Sequence, residues 1–328
     1  VKVKTRREKV PGEQFPLLTK EYTTPKGVLR QAVRKTPDWP HGDSVPLWSD
    51  HMIPGSRSKK YLIENTDDIE SFSCLFGEPT LEELEDFHKK AERSKRFAED
   101  RGIIINGGGL RVAVGDIIAW ICGIQNAVVW SFKRPALLHT LLDVTLEWNI
   151  RYVQQILESG VVDIITCRGY YETADFWSPR IYRAFFAPRL RRLSEIVHKA
   201  GAKFCYHVTT GIMPLLEIYK EVGIDILFGP DPIEGGADLH QTKERVGDAI
   251  CLWGGMNAPL TLGTGTPKQI EQEVRESIRT LAPGGGFILS PLDSLILGAD
   301  PKTCGWIPWE SVEHMIEVWR KVGDYPIG

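Results

Sequence analysis

From residue 102 onward, one pattern recurs six times. A short, β-branched apolar run is followed by a Gly/Pro-rich or polar loop and then by a stretch with helical spacing. The runs are GIIING (102–107), VVDIITC (161–167), AKFCYHV (202–208), IDILFGP (224–230), DAICLWGG (248–255) and GGFILSP (285–291). Their hydrophobicity is continuous rather than alternating, which predicts strands covered on both faces, as in a parallel sheet with helical crossovers. A seventh apolar run, VPLWSDHMIP (45–54), brings the count close to eight. The predicted fold class is therefore α/β, a (β/α)8 TIM barrel with an irregular and helical N-terminal extension. The competing architecture is a doubly wound open sheet. Its dinucleotide fingerprint is absent, because Gly107-Gly108-Gly109 lacks the third spaced glycine and a downstream ribose-binding acid.

The organisation that follows is one domain. Residues 1–100 hold the extension and first barrel elements, and residues 101–328 the barrel body. Residues 1–45 are rich in Pro, Lys and Thr without a sustained period, and read as an irregular arm. Thr80 and Glu83 form a capping-box pair that opens a strongly charged helix, and Gly102 stops it. Its alternating charges predict a solvated face.

Composition narrows the function classes. A net charge of -3 gives no basic field for nucleic acid or an anionic membrane surface. No apolar run approaches the ~20 residues that span a bilayer, and no apolar segment follows the basic start VKVKTRREKV to make a signal peptide. Cys74, Cys122, Cys167, Cys205, Cys251 and Cys304 are scattered, without a CxxC pair, which predicts reduced thiols and a cytoplasmic protein.

In such a barrel, side chains at the C-terminal strand ends face the active site. The run after VVDIITC carries Arg168, Tyr170, Tyr171, Glu172, Asp175, Phe176 and Trp177 before Ser178-Pro179. One reading is a cleft for a flat or aromatic substrate, with Glu172 or Asp175 handling protons or a metal. The other is a helix cap with aromatics packed beneath it. The next strand ends in Tyr206-His207 before Gly211, where a histidine can serve as ligand, acid or base, or simply pack. Later strand ends offer Asp231 or Glu234, then Asn257, then Asp293. Together with His207 these could surround one cation of the harder type that suits zinc, iron or manganese.

Several blocks of the chain resemble the uroporphyrinogen decarboxylase superfamily from about residue 102 to the end. They are RPALLHTLLD (134–143), the segment 178–211, GIDILF (223–228), the segment 254–278, GGFILSP and the late helix IPWESVEHMIEVWRKVGDY. The resemblance implies the TIM barrel and one of two chemistries. Decarboxylation of a porphyrinogen uses an arginine-rich motif near the N-terminus, and the nearest text here, SRSKKY (56–61), is not that motif. The other chemistry is methyl transfer to or from a corrinoid carried on a separate protein. In the thiol-methylating members a zinc is held by His-x-Cys and a later Cys. His207 matches the histidine, whereas Thr209 and Asp293 stand at the thiolate positions.

That departure points away from thiol activation. It favours a methyltransferase that removes a methyl group from a methoxylated aromatic donor and passes it to the cob(I)alamin of a corrinoid protein. In this reading His207, Glu172 and Asp293 are catalytic. Tyr170, Tyr171, Asp175, Trp177 and Asn257 bind substrate, and His207, Asp293, Glu234 and Asp231 hold a zinc ion. Cobalamin comes with the partner, and the rim stays open in any homo-oligomer. The alternatives are a decarboxylase, a methylcobalamin:thiol methyltransferase, or a catalytically idle relative that only binds.

Overall fold

The computed structural model describes residues 1–292, 296–297, 306–324 and 327. The chain forms two compact units, residues 1–105 with 112–161, and residues 106–111 with 162–328.

The first unit opens with an antiparallel sheet of β1 (Lys2–Glu8), β2 (Leu17–Thr24), β3 (Gly27–Arg34) and β4 (Ser58–Lys60), in that order. Residues 1–45, expected to be irregular, thus supply three strands. Their pattern is hidden because β1 is exposed at every position, while β2 and β3 bury only scattered residues such as Leu18, Tyr22, Leu29 and Val33. The run 45–54 forms no strand. Ser49 caps a single 3-10 turn, Asp50–Met52.

Five helices complete this unit: α1 (Thr66–Ser73), α2 (Leu81–Glu99), α3 (Gly115–Cys122), α4 (Ile124–Lys133) and α5 (Pro135–Glu158). The predicted capping box of α2 is present in both directions between Thr80 and Glu83. Only Ala91 and Ala98 of this helix are buried, and its outer face is laced by i,i+4 pairs such as Lys90–Asp86 and Arg96–Glu92. The predicted stop, Gly102, adopts φ +61°.

The second unit carries β5 (Asn106–Ala113, of which 106–111 belong here), β6 (Ile164–Arg168), β7 (Lys203–His207), β8 (Ile226–Phe228), β9 (Cys251–Asn257) and β10 (Phe287–Leu292). Between them run α6 (Pro179–Phe185), α7 (Ala187–Lys199), α8 (Leu216–Glu221), α9 (Leu239–Val246) and α10 (Pro267–Leu281), and α11 (Trp309–Val322) follows. The six strands lie side by side in sequence order, and β6 to β10 pair in parallel. A doubly wound sheet reverses its order at a switch point, whereas a barrel winds in one direction. The unbroken order is that of a (β/α)8 barrel.

The expected strands match these elements closely except the first. Ile103 and Ile104 are exposed, and β5 begins at Asn106 instead. Its glycine-rich start, with Gly108 and Gly109 at positive φ, has weak strand propensity and masks the element.

Helix placement follows local chemistry. In α10, Thr266 and Gln269 form a reciprocal cap and Pro267 occupies the first turn. Its inner stripe, Ile270, Val274, Ile278 and Leu281, is buried, at roughly 2 kcal/mol per side chain. The five described cysteines are free thiols, and burial pushes Cys205 up to about 12, which leaves it unreactive. Among the described residues, no helix is long and apolar enough to cross a membrane.

Candidate active site

The strand register assembles the site. Arg168, the last residue of β6, pairs with His207, the last of β7. His207 pairs in turn with Phe228, the last of β8, and Phe228 with Trp253 of β9. Side chains at matched positions of neighbouring strands project in the same direction, at a spacing of about 4.8 Å. Flat rings must therefore stack. The His207 and Phe228 ring centroids are 4.0 Å apart at 13°, and those of Phe228 and Trp253 are 4.5 Å apart at 18°.

The alternation of β7 identifies which face carries this row. Tyr206 turns the other way, its hydroxyl accepting from Tyr182 of α6 at 3.2 Å and its ring lying 5.4 Å from Tyr219 of α8. The side chain of His207 therefore points away from the helices and into the barrel, as do Cys205 and Ile226 below it, which pack with Phe228 and Trp253. This is the C-terminal end of the strands, where barrels carry their chemistry.

The loop after β6 folds back over the row. Tyr170 places its hydroxyl 3.1 Å from Nε2 and 3.4 Å from Nδ1 of His207, with the two rings edge to face at 4.8 Å. The Arg168 guanidinium lies over the Tyr170 ring at 4.2 Å, a cation–π contact with a side chain only 4% exposed. Burial, reinforced by the Arg168 charge, holds the imidazole of His207 at about 4, so it is neutral at pH 7. A neutral imidazole carries one N–H donor and one acceptor nitrogen, so its tautomer sets which way the hydrogen bond with Tyr170 runs.

The other expected residues of this loop face elsewhere. Glu172 is fully buried and accepts from the Tyr206 hydroxyl at 2.8 Å, on the helix side of β7. Asp175 accepts from Thr173 and Thr210 at 3.1 and 2.6 Å, tying the loop to the one after β7. Trp177 is buried against Phe186 and donates to the Tyr171 carbonyl at 2.6 Å. Tyr171 lies near Phe176, which is partly exposed.

A second cluster ties the next two strand ends together. Asn257, the last residue of β9, donates through Nδ2 to Asp231 and Glu234, both at 2.8 Å, and accepts from the Leu260 N–H at 2.8 Å. Its own N–H binds Glu273 of α10 at 2.8 Å. Asp231 also accepts the N–H groups of Ile233 and Glu234 at 2.8 and 3.2 Å. Burial raises the Glu273 carboxyl above its usual range.

The expected metal set is not assembled among the described residues. His207 is engaged by Tyr170 and Phe228, while Asp231 and Glu234 turn to Asn257. No group of three His, Cys, Asp or Glu side chains is arranged to hold an ion among the described residues, and Asp293 lies outside them. These donors, as placed, do not fit a zinc ion.

Sequence reasoning missed Arg168 as a site member, and with it Phe228, Trp253 and Glu273. The signal was present: Phe228 and Trp253 lie in apolar runs already read as strands, and Arg168 directly follows another. The register that joins them is not legible without the sheet.

Comparison with known proteins agrees with this architecture. The family model described as uroporphyrinogen decarboxylase (URO-D) matches residues 115–312. A methylcobamide:CoM methyltransferase MtaA from Methanosarcina barkeri is 26% identical over 180 residues, covering 53% of this chain and 51% of the relative. A uroporphyrinogen decarboxylase from Psychromonas ingrahamii is 27% identical over 184 residues, covering 52% and 47%. The chain thus spans about half the length of the curated relatives it matches. Among solved structures, a methyltransferase from Methanosarcina mazei superposes with a TM-score of 0.56 at 22% identity, covering 71% of this chain and 64% of the other. That likeness supports the barrel fold.

Proposed function

This chain belongs to the uroporphyrinogen decarboxylase family, and from that premise we propose that it is a methyltransferase of the corrinoid-dependent kind. It takes the methyl group of a methoxylated aromatic compound and delivers it to the cob(I)alamin of a separate corrinoid protein. The observation that carries this reading is the stacked row His207–Phe228–Trp253, with Tyr170 at its end. A flat ring entering the mouth meets flat rings, and such stacking contributes about 1 kcal/mol per pair beyond burial. The relative described as a methylcobamide:CoM methyltransferase supports the corrinoid half.

The chemistry demanded is displacement at a methyl carbon. The electron pair of cob(I)alamin forms the new cobalt–carbon bond, the methyl–oxygen bond breaks, and the aryl oxygen leaves with its pair as phenolate. The protein's task is to stabilise that developing charge. Tyr170, bridged to His207, donates a hydrogen bond to the leaving oxygen, and the Arg168 charge stands beside it. His207, neutral at pH 7, donates its one ring N–H to the Tyr170 oxygen, which leaves the phenolic proton for the leaving oxygen. Glu172 is a positioning residue held by Tyr206. Asp293 keeps its candidate role on sequence position alone. No step is routed through zinc.

The relatives also include uroporphyrinogen decarboxylases. An octa-acid porphyrinogen calls for several cations, whereas this row offers one, Arg168, beside apolar rings.

The two readings part on product. Incubation with a reduced corrinoid protein and a panel of methoxybenzoates should yield the matching phenols, measured by chromatography, without carbon dioxide. Carbon dioxide release from a ring acid with no corrinoid present would replace this reading with decarboxylation.

A further inference from the structure

A cavity of about 590 Å³ opens between the β8–α9 loop, the turn after β9 and helix α10. None of Tyr170, His207, Phe228 or Trp253 lines it. Its volume falls in the range of about 300–1,000 Å³ typical of small-molecule sites. Two features give it a chemical character.

One wall is polar and acidic. Gln269, Gln272, Glu273, Glu276 and Thr280 line it from successive turns of one α10 face, and Asp238, the N-cap of α9, lines it from the other side. Three carboxylates therefore border the space, and among the described lining residues His240 is the one side chain able to carry positive charge. Glu273 is half-buried, its Oε1 already accepting the Asn257 N–H, while Glu276 is exposed one turn along.

The other feature is apolar. Ile233 and Leu260, on the two facing loops, line the same cavity and are 47% and 46% exposed. Large aliphatic side chains left bare on both lips of a hollow are a binding-surface signature rather than core packing.

We propose that this cavity is a second small-molecule site that takes an organic ammonium ion with a compact apolar body. The body lies between Ile233 and Leu260, and the ammonium group points at Glu276 and Glu273. Anions are repelled by the three carboxylates, and neutral isosteres forgo the charge-assisted hydrogen bonds. No residue of the aromatic row takes part, and Glu273, through the Asn257 N–H, is the point where this cavity meets the site described above.

Titration calorimetry and amide-resonance mapping on the full chain test it, with cyclohexylamine at neutral pH as the probe. Cyclohexanol serves as the neutral isostere and cyclohexanecarboxylate as the anion. Cyclohexylammonium should bind at least about tenfold more tightly than cyclohexanol, the carboxylate should not bind, and shifts should centre on α9 and α10. Glu276→Gln should remove most of the tenfold preference for the amine while leaving cyclohexanol binding unchanged. Leu260→Ser should weaken both neutral and cationic probes. Equal binding of amine and alcohol, shifts centred elsewhere, or no binding of the amine at about 10 mM would overturn the proposal.

Discussion

The Tyr170 hydroxyl lies 3.1 Å from Nε2 of His207, across 37 residues of sequence. The loop after one strand thereby supplies the hydrogen-bonding partner for the end of the next. In the proposed reaction this pair holds one phenolic proton where a leaving oxygen needs it. Tyr170→Phe keeps the ring and its edge-to-face contact but loses the hydroxyl. It should lower kcat by roughly 100-fold, the usual scale for a positioned proton donor, with KM little changed. His207→Phe, which keeps the stack and loses the nitrogens, should do the same. A normal kcat in either variant, measured by phenol release, would remove the pair from the mechanism.

The stack itself should govern substrate affinity. Phe228→Leu preserves most of the buried area while abolishing ring stacking with His207 and Trp253. The expected effect is a KM increase of about three- to tenfold for an aromatic methyl donor. A small aliphatic methyl donor should show no such change. Steady-state kinetics on both donors give the comparison.

Burial holds His207 at about 4, below the ~6.5 of a free imidazole. The unfolded chain therefore takes up this proton before the folded one does. The stabilising contribution is complete above about pH 6.5, declines as pH falls towards 4, and is flat below that, with a total of up to about 3 kcal/mol. Urea midpoints from pH 7.5 to 4.5 should drop more steeply for the native chain than for His207→Phe. Parallel curves would show that this imidazole is not desolvated.

Gly169 is predicted to tolerate no side chain. A Cβ there would lie 2.1 Å from the Tyr206 hydroxyl oxygen and 2.3 Å from its ring. Gly169→Ala should cost about 2 kcal/mol or more and push Tyr206 off Glu172. Tyr206→Leu, which vacates the space, should offset part of that cost, and a double-mutant cycle by chemical denaturation measures the coupling. Additive losses would contradict the contact.

How much of this was legible beforehand follows from the range of each signal. The barrel strands were readable because runs such as 202–208 and 248–255 are continuously apolar over a strand's length, and Thr80 with Glu83 announced a helix start within four residues. The N-terminal sheet was not readable, because an exposed hairpin such as β1–β2 is specified by backbone pairing rather than by an apolar face. His207 was identifiable from its place at a strand end and Tyr170 from its place in the loop after a strand. Their contact was not, nor was the alignment of Arg168, Phe228 and Trp253, because register between strands 20 to 40 residues apart leaves no local trace. The knot of Asp231, Glu234 and Asn257 shows the converse. Its members stand at strand ends as a ligand set would, yet their hydrogen-bonding capacity is directed largely at one another and at nearby backbone N–H groups.

The cobalt spectrum reports methyl transfer itself. The chain is mixed with a corrinoid protein reduced to cob(I)alamin and then given a methoxybenzoate or, in parallel, uroporphyrinogen, and a third reaction offers a free thiol to the same protein carrying methylcobalamin. With the methoxylated ring alone, the cob(I)alamin spectrum should convert to that of methylcobalamin, at a rate that collapses in Tyr170→Phe. Persistence of cob(I)alamin with every methoxylated aromatic tried, or demethylation of methylcobalamin by the thiol, would contradict it.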